Sequence, residues 1–105
     1  MPETLQDFKA TFFKALASPV RIRLVEALRG GPATVGDLQQ RLGLDSSNAS
    51  QHLALLRAQG IVVTRRDGNK IWYSVPEKRI YSILDAARAI FEKQVKASTR
   101  LLDQR

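Results

Sequence analysis

With 105 residues and a formal net charge of +7, the chain has room for one domain, 1–105, and is drawn to polyanions: nucleic acid, an anionic membrane surface or an acidic partner. It contains no cysteine, which excludes disulfides, thiolate metal sites, thiol redox sensing and cysteine nucleophiles together. No apolar run approaches the roughly 20 residues that span a bilayer, and the N-terminus lacks a basic-then-apolar signal pattern, so the expectation is a cytoplasmic protein without a membrane partner.

Apolar Leu5, Phe8, Phe12 and Leu16 recur at helical spacing and predict a first helix of about four turns. Ser18-Pro19 marks a fresh start, because serine caps well and proline suits the first helical position. The second helix carries Val20, Leu24 and Leu28 inward and stops at Gly30-Gly31-Pro32. Thr34 with Asp37 resembles a capping box for a short third helix with Val35, Leu38 and Leu42, closed by Gly43. Gly43-Leu44-Asp45 then leads directly into a fourth helix. Two short helices joined by a three- or four-residue turn containing glycine are the helix-turn-helix signature.

The fourth helix is the most informative segment. If it begins near Ser46, a rotation of about 100° per residue puts Ala49, Leu53 and Leu56 on one narrow stripe that must be buried. The opposite side carries Ser47, Ser50, Gln51, Ala54 and Ala58, all short or uncharged. Such a face lets a helix sit deep in a major groove, where hydroxyl and amide groups hydrogen-bond base edges. A solvated surface helix would more often carry Glu and Lys there. Residues near the helix start point deepest into the groove. The candidates are therefore Ser46, Ser47, Asn48, Ser50 and Gln51, with Gln51 able to pair bidentately with adenine. Capping alone is the competing role for Ser46 and Ser47, with one of the two expected to serve as the cap. Free N–H groups at the helix start favour a phosphate there.

Gly60 ends this helix, and two β-prone runs, Ile61 to Arg66 and Lys70 to Val75, flank Asp67-Gly68-Asn69. That pattern predicts a hairpin whose loop has two or three residues. Its tip concentrates Arg65, Arg66 and Lys70, cations that can follow phosphates or enter a minor groove. A solvated hairpin protected from edge aggregation is the alternative. Ile71, Tyr73 and Val75 share one face and are expected to close the core, while Trp72 faces the other way as a packing residue. A last helix runs from about Glu77. Its two adjacent stripes, Ile80, Leu84, Ala87, Phe91 and Val95 beside Ile83, Ile90, Ala97 and Leu101, make an apolar band of roughly 160°, wider than one core needs. With the Phe-rich first helix this predicts a homodimer through Leu5, Phe8, Phe12, Ile83, Ala87, Ile90 and Phe91, setting two recognition helices about one DNA turn apart.

The fold class is therefore mainly α with a small β-hairpin, a dimeric winged helix-turn-helix in the order α-α-α-α-β-β-α. The stretches KALASPVRIRLVEAL, DLQQRLGLDSSNASQHLALLRAQGIV and RRDGNKIWYSV resemble the ArsR/SmtB family of bacterial transcriptional repressors, over about Lys14 to Val75. The most specific piece is Ser50-Gln51-His52-Leu53, then Leu56-Arg57 and Gly60-Ile61-Val62. The resemblance implies a homodimer on a roughly palindromic double-stranded DNA operator, usually released by an effector. It also implies that the arginine of the second helix is structural and that His52, the sole histidine, belongs to the recognition-helix pattern. We expect His52 to pack within the fold or against a phosphate.

Many relatives sense metals through cysteines of the third helix or Asp, Glu and His of the last. This chain departs from both patterns, so no metal site and no cofactor is expected. A small organic effector, a protein co-regulator and the absence of any effector are all compatible with the residues present. One histidine, no cysteine, no glycine-rich phosphate loop and no carboxylate pair argue against an enzyme. The competing classes are a winged-helix protein-interaction module, a co-regulator-dependent activator and a metal sensor with a site unlike the family's.

Overall fold

A computed structural model of the chain describes residues 3–103. Five helices and three short strands follow in the order α1 (Leu5–Leu16), α2 (Pro19–Ala27), β1 (Ala33–Thr34), α3 (Val35–Leu42), α4 (Ser46–Ala58), β2 (Val63–Asp67), β3 (Lys70–Ser74) and α5 (Arg79–Asp103). The helix starts are set locally. Thr4 and Asp7 form a reciprocal capping box on α1, and Thr34 and Asp37 repeat it on α3. The Ser18 hydroxyl accepts from the Arg21 N–H, with Pro19 in the first turn of α2.

The cap of α4 is neither of its serines. Asp45 caps it, its carboxylate accepting from the Asn48 N–H at 2.8 Å. Ser46 and Ser47 begin the helix proper. The expected α3–α4 turn is present, with Gly43 at φ +66° and the Leu44 N–H closing onto the Gln39 carbonyl. That left-handed closure is the reason for glycine at this point.

The sheet holds one strand more than expected. Ala33 and Thr34 pair antiparallel with Tyr73 and Trp72, giving the order β1-β3-β2. Two residues that follow a Gly-Pro stop, the second of them the capping threonine of α3, carry no periodicity of their own, so only their pairing makes them a strand. The hairpin loop has two residues, since Asp67 pairs with Lys70. Gly68 takes φ +65° while no non-glycine among the described residues is left-handed, the pattern of a type II′ turn. Ile61 and Val62, read as the start of the strand, are instead fully buried in the core ahead of it.

One core gathers Leu16, Leu24, Val25, Leu28, Leu38, Leu53, Leu56, Ile61, Val62, Val75, Ile80 and Tyr81 from every helix and both ends of the hairpin. Tyr73 packs against it and Val75 is within it, but Ile71 is 48% exposed. Ile71 instead lines a shallow surface depression with Thr34, Val35 and Tyr73, at the edge of the core. Polar contacts join the helices across this core. The Tyr81 hydroxyl donates to the Val25 carbonyl at 2.6 Å, and Arg29 grips both oxygens of Asp85 at 2.6 Å while lying over the Tyr81 ring. Arg23 donates to the Leu42 carbonyl and Arg41 to the Ala27 carbonyl, so α2 and α3 each cap the other's C-terminal end.

The described chain is far from spherical. Its extents are 61 × 38 × 23 Å and its radius of gyration is 16.7 Å, against about 13 Å for a compact chain of this length. The excess comes from α5, on which every residue from Asp85 to Asp103 is exposed.

Two predictions follow from these caps and pairs. Asp45→Ala should lower stability by about 1 kcal/mol in urea unfolding, whereas Asp45→Asn, an equally good cap, should stay within a few tenths of the parent. Three carboxyls are held below their usual range: Asp37 by the Thr34 N–H and hydroxyl, Asp85 by the Arg29 guanidinium, and Glu77, at about 2, by the Arg79 guanidinium and N–H. A depressed folded-state pKa contributes stability above the unfolded value, about 4, and loses it as pH falls through the folded one. The melting temperature should therefore decline from about pH 5 towards about pH 2, less steeply in Asp85→Asn.

Candidate nucleic-acid interface

The helix-turn-helix pair places α4 on the surface with a single side attached. Ala49, Leu53 and Leu56 are completely buried, as the periodicity requires. Ser46, Ser47, Asn48, Ser50, Gln51 and Ala54 are all exposed, and so is Ala58 one turn further on. The exposed side thus begins with hydroxyls and amides and continues with methyl groups, without an acidic residue inside the helix.

At its start the surface differs from the sequence expectation. Asp45 accepts from the Asn48 N–H, from the Asn48 side-chain amide at 3.3 Å and from the Ser47 hydroxyl at 3.5 Å. The anion nearest the exposed N–H groups is therefore the protein's own carboxylate. It takes one of the positions expected for a phosphate and turns the Asn48 amide back onto the cap. The signal was present in the sequence, since aspartate is as good a cap as serine. Two serines directly after it concealed the choice.

His52 is half-buried, and its Nδ1 lies 3.2 Å from Arg21 Nη1. A guanidinium only donates, so in this contact Nδ1 is the acceptor. Arg21 also donates through Nε to the Ala15 carbonyl at 2.6 Å and through Nη2 to the Lys14 carbonyl at 3.2 Å. One arginine of α2 thus joins the C-terminal end of α1 to the middle of α4. Arg23, engaged with Leu42, is structural as well. Among the described residues no group of three or more His, Asp or Glu side chains is placed to hold a metal ion.

The wing presents its cations separately. Arg65, Arg66 and Lys70 are all exposed around the type II′ turn, and Arg66 Nε donates to the Gly68 carbonyl at 3.4 Å, which steadies the tip. Arg65 stands across the ladder from Trp72, and Arg66 across from Ile71, so neighbouring arginines project from opposite faces of the hairpin.

The residues expected at a dimer interface are outward apart from one. Leu5, Phe8, Ile83, Ile90 and Phe91 are exposed, Phe91 by 64%, and Ala87 lies on the exposed part of α5. Phe12 is half-buried and packs on the chain's own core while stacking with Phe8 at 6.2 Å. Among the described residues no helix is long and apolar enough to cross a membrane.

Residues 16–65 match the helix-turn-helix domain family. Over 102 residues the chain is 41% identical to an uncharacterized helix-turn-helix-type transcriptional regulator of Mycobacterium tuberculosis, covering 96% of this chain and 90% of that one. The crystal structure of that protein superposes with a TM-score of 0.81 over 93% of this chain and 99% of its own. The transcriptional repressor BigR from Xylella fastidiosa, 37% identical, superposes with a TM-score of 0.75 over 82% and 88% of the two chains. A homodimeric winged helix-turn-helix DNA-binding domain from Mycobacterium bovis, described as a possible ArsR-family regulator, shares the fold at 24% identity, with a TM-score of 0.78 over 89% and 86%. With this fold, these relatives and a detached, short-sided α4, the chain belongs to the helix-turn-helix-type transcriptional regulators.

Proposed function

We propose that two copies of this chain bind a palindromic operator and repress transcription from it, α4 of each copy reading one half-site. The observation that carries this reading is the exposed face of Ser46, Ser47, Ser50, Gln51 and Ala54 on a helix attached only by its far side. Gln51 reads a base edge, and Ser46, Ser47 and Ser50 contact bases or the adjoining backbone. Asn48, drawn towards Asp45, sits beside the backbone. Arg65, Arg66 and Lys70 neutralise phosphates from the wing. The relatives named as repressors support the direction of control.

Dimerisation supplies what the isolated chain lacks. Leu5, Phe8, Ile83, Ile90 and Phe91 leave apolar surface in water, which costs about 25 cal/mol for each Å². Pairing α1 and α5 with a second copy, with Phe12 and Ala87 at its margin, buries that surface and gives the overhanging part of α5 a support. A two-fold axis there matches the symmetry of a palindrome.

Selection from a random oligonucleotide pool should return a palindrome with half-sites about 10 base pairs apart. Gln51→Ala should relax preference at one position per half-site, worth about 1–3 kcal/mol, while Arg65→Ala should weaken all sequences alike. Affinity for the selected site should drop about 10³–10⁵-fold between 50 and 200 mM salt if 6–10 phosphates are neutralised. Phe91→Glu should sediment as a monomer at concentrations where the parent is a dimer, and lose operator binding. A monomeric parent that still binds tightly would overturn the dimer.

A further inference from the structure

The face of the sheet turned away from the core carries a cleft of about 340 Å³, lined by Pro32, Arg65, Asp67, Trp72 and Ser74. This lies within the roughly 300–1,000 Å³ usual for small-ligand sites. Strand alternation explains the company: Arg65 and Asp67 share one face of β2, and Trp72, directly opposite Arg65, shares that face of β3 with Ser74. Trp72 contributes nothing to the core, which β3 enters through Tyr73 on its other side. Its half-buried indole is instead the floor of the cleft.

The two charges are unusually placed. Arg65 and Asp67 stand two residues apart on one strand, about 6.6 Å along it, close enough for their side chains to meet. Among the described residues neither makes an ion pair, and neither side chain makes a hydrogen bond; the pairs formed are Arg29 with Asp85, Arg79 with Glu77 and Arg88 with Glu92. Two opposite charges and an aromatic face therefore line one cleft without a hydrogen-bonded protein partner, although Lys70 stands across the ladder from Asp67 on the same side.

We propose that this cleft binds a small aromatic zwitterion, the class to which free aromatic amino acids belong. The ring stacks on Trp72 against Pro32, the carboxylate pairs with Arg65 and the ammonium with Asp67, within reach of the Ser74 hydroxyl. A simple aromatic anion meets Asp67 and a simple cation meets Arg65, while a neutral ring leaves both charges partly desolvated without a partner. Only a ligand carrying both charges satisfies the lining. Occupancy also draws Arg65 away from the phosphates, which links the cleft to operator release. That link rests on the DNA-binding reading above, whereas the binding itself does not.

Trp72 is the chain's single tryptophan, so its emission reports the cleft directly. Titration of the full chain with phenylalanine should change that emission saturably, with a dissociation constant on the order of millimolar or tighter for a ligand of this size. Benzoate, phenethylamine and leucine should each bind at least about tenfold more weakly. Arg65→Gln and Asp67→Asn, shown to be folded by their thermal transitions, should each weaken phenylalanine by a similar factor. No saturable change up to about 20 mM, equal binding of benzoate and phenethylamine, or indifference to both substitutions overturns the site. A saturable change with operator affinity unmoved overturns the link to release. The absence of any change leaves the DNA-binding reading untouched.

Discussion

The recognition helix is held by a stripe one side chain wide, and the rest of the molecule depends on that attachment. Ala49, Leu53 and Leu56 are the only residues of α4 that are completely buried. Truncating a buried leucine costs about 2–5 kcal/mol, a large share of the 5–15 kcal/mol that holds a typical domain together. The narrowness of the stripe leaves the opposite side of the helix, from Ser46 to Ala54, open to a partner. It also requires further bracing, which the His52–Arg21 contact and the Asp45 cap provide from the flank and the end.

Positive charge in this chain serves two purposes that composition cannot separate. Arg21, Arg23 and Arg41 donate to helix-end carbonyls, and Arg29 joins α2 to α5 through Asp85. These guanidiniums hold helices whose C-terminal carbonyls would otherwise lack partners. Arg65 and Lys70 are exposed on the wing with no such duty, and Arg66 has only a contact within its own turn. Counting cations therefore does not separate those that brace helices from those free to meet a partner. The division follows hydrogen bonding and not burial, since Arg23, Arg29 and Arg41 are exposed like the wing cations; half-exposed ion pairs such as Arg29–Asp85 add little stability individually.

The long last helix separates core from interface along its own axis. Ile80 and Tyr81 are buried, Leu84 packs on the core from a half-buried position, and from Asp85 onward nothing among the described residues covers the apolar band. A helix segment of this kind is marginal in water on its own. Its persistence as a regular helix with Ile90, Phe91, Val95, Leu101 and Leu102 exposed is the reason that a second copy completes the fold in the proposed assembly.

Local chemistry was enough to determine every helix of this protein and the existence of its hairpin. Capping pairs such as Thr34 and Asp37, the stop at Gly43 and the 3.6-residue recurrence of Ala49, Leu53 and Leu56 act within a few residues, so they can be read from the chain alone. The exposed face of α4 was legible for the same reason, since one buried stripe dictates the opposite side. Tertiary structure decided the rest. The two-residue strand Ala33–Thr34 exists only because β3 passes beside it, and Ile71 is exposed at the edge of the core. The unpaired Arg65 and Asp67 around Trp72 share a cleft only once the three strands are assembled, because contacts of that kind depend on register and twist, which no local pattern encodes.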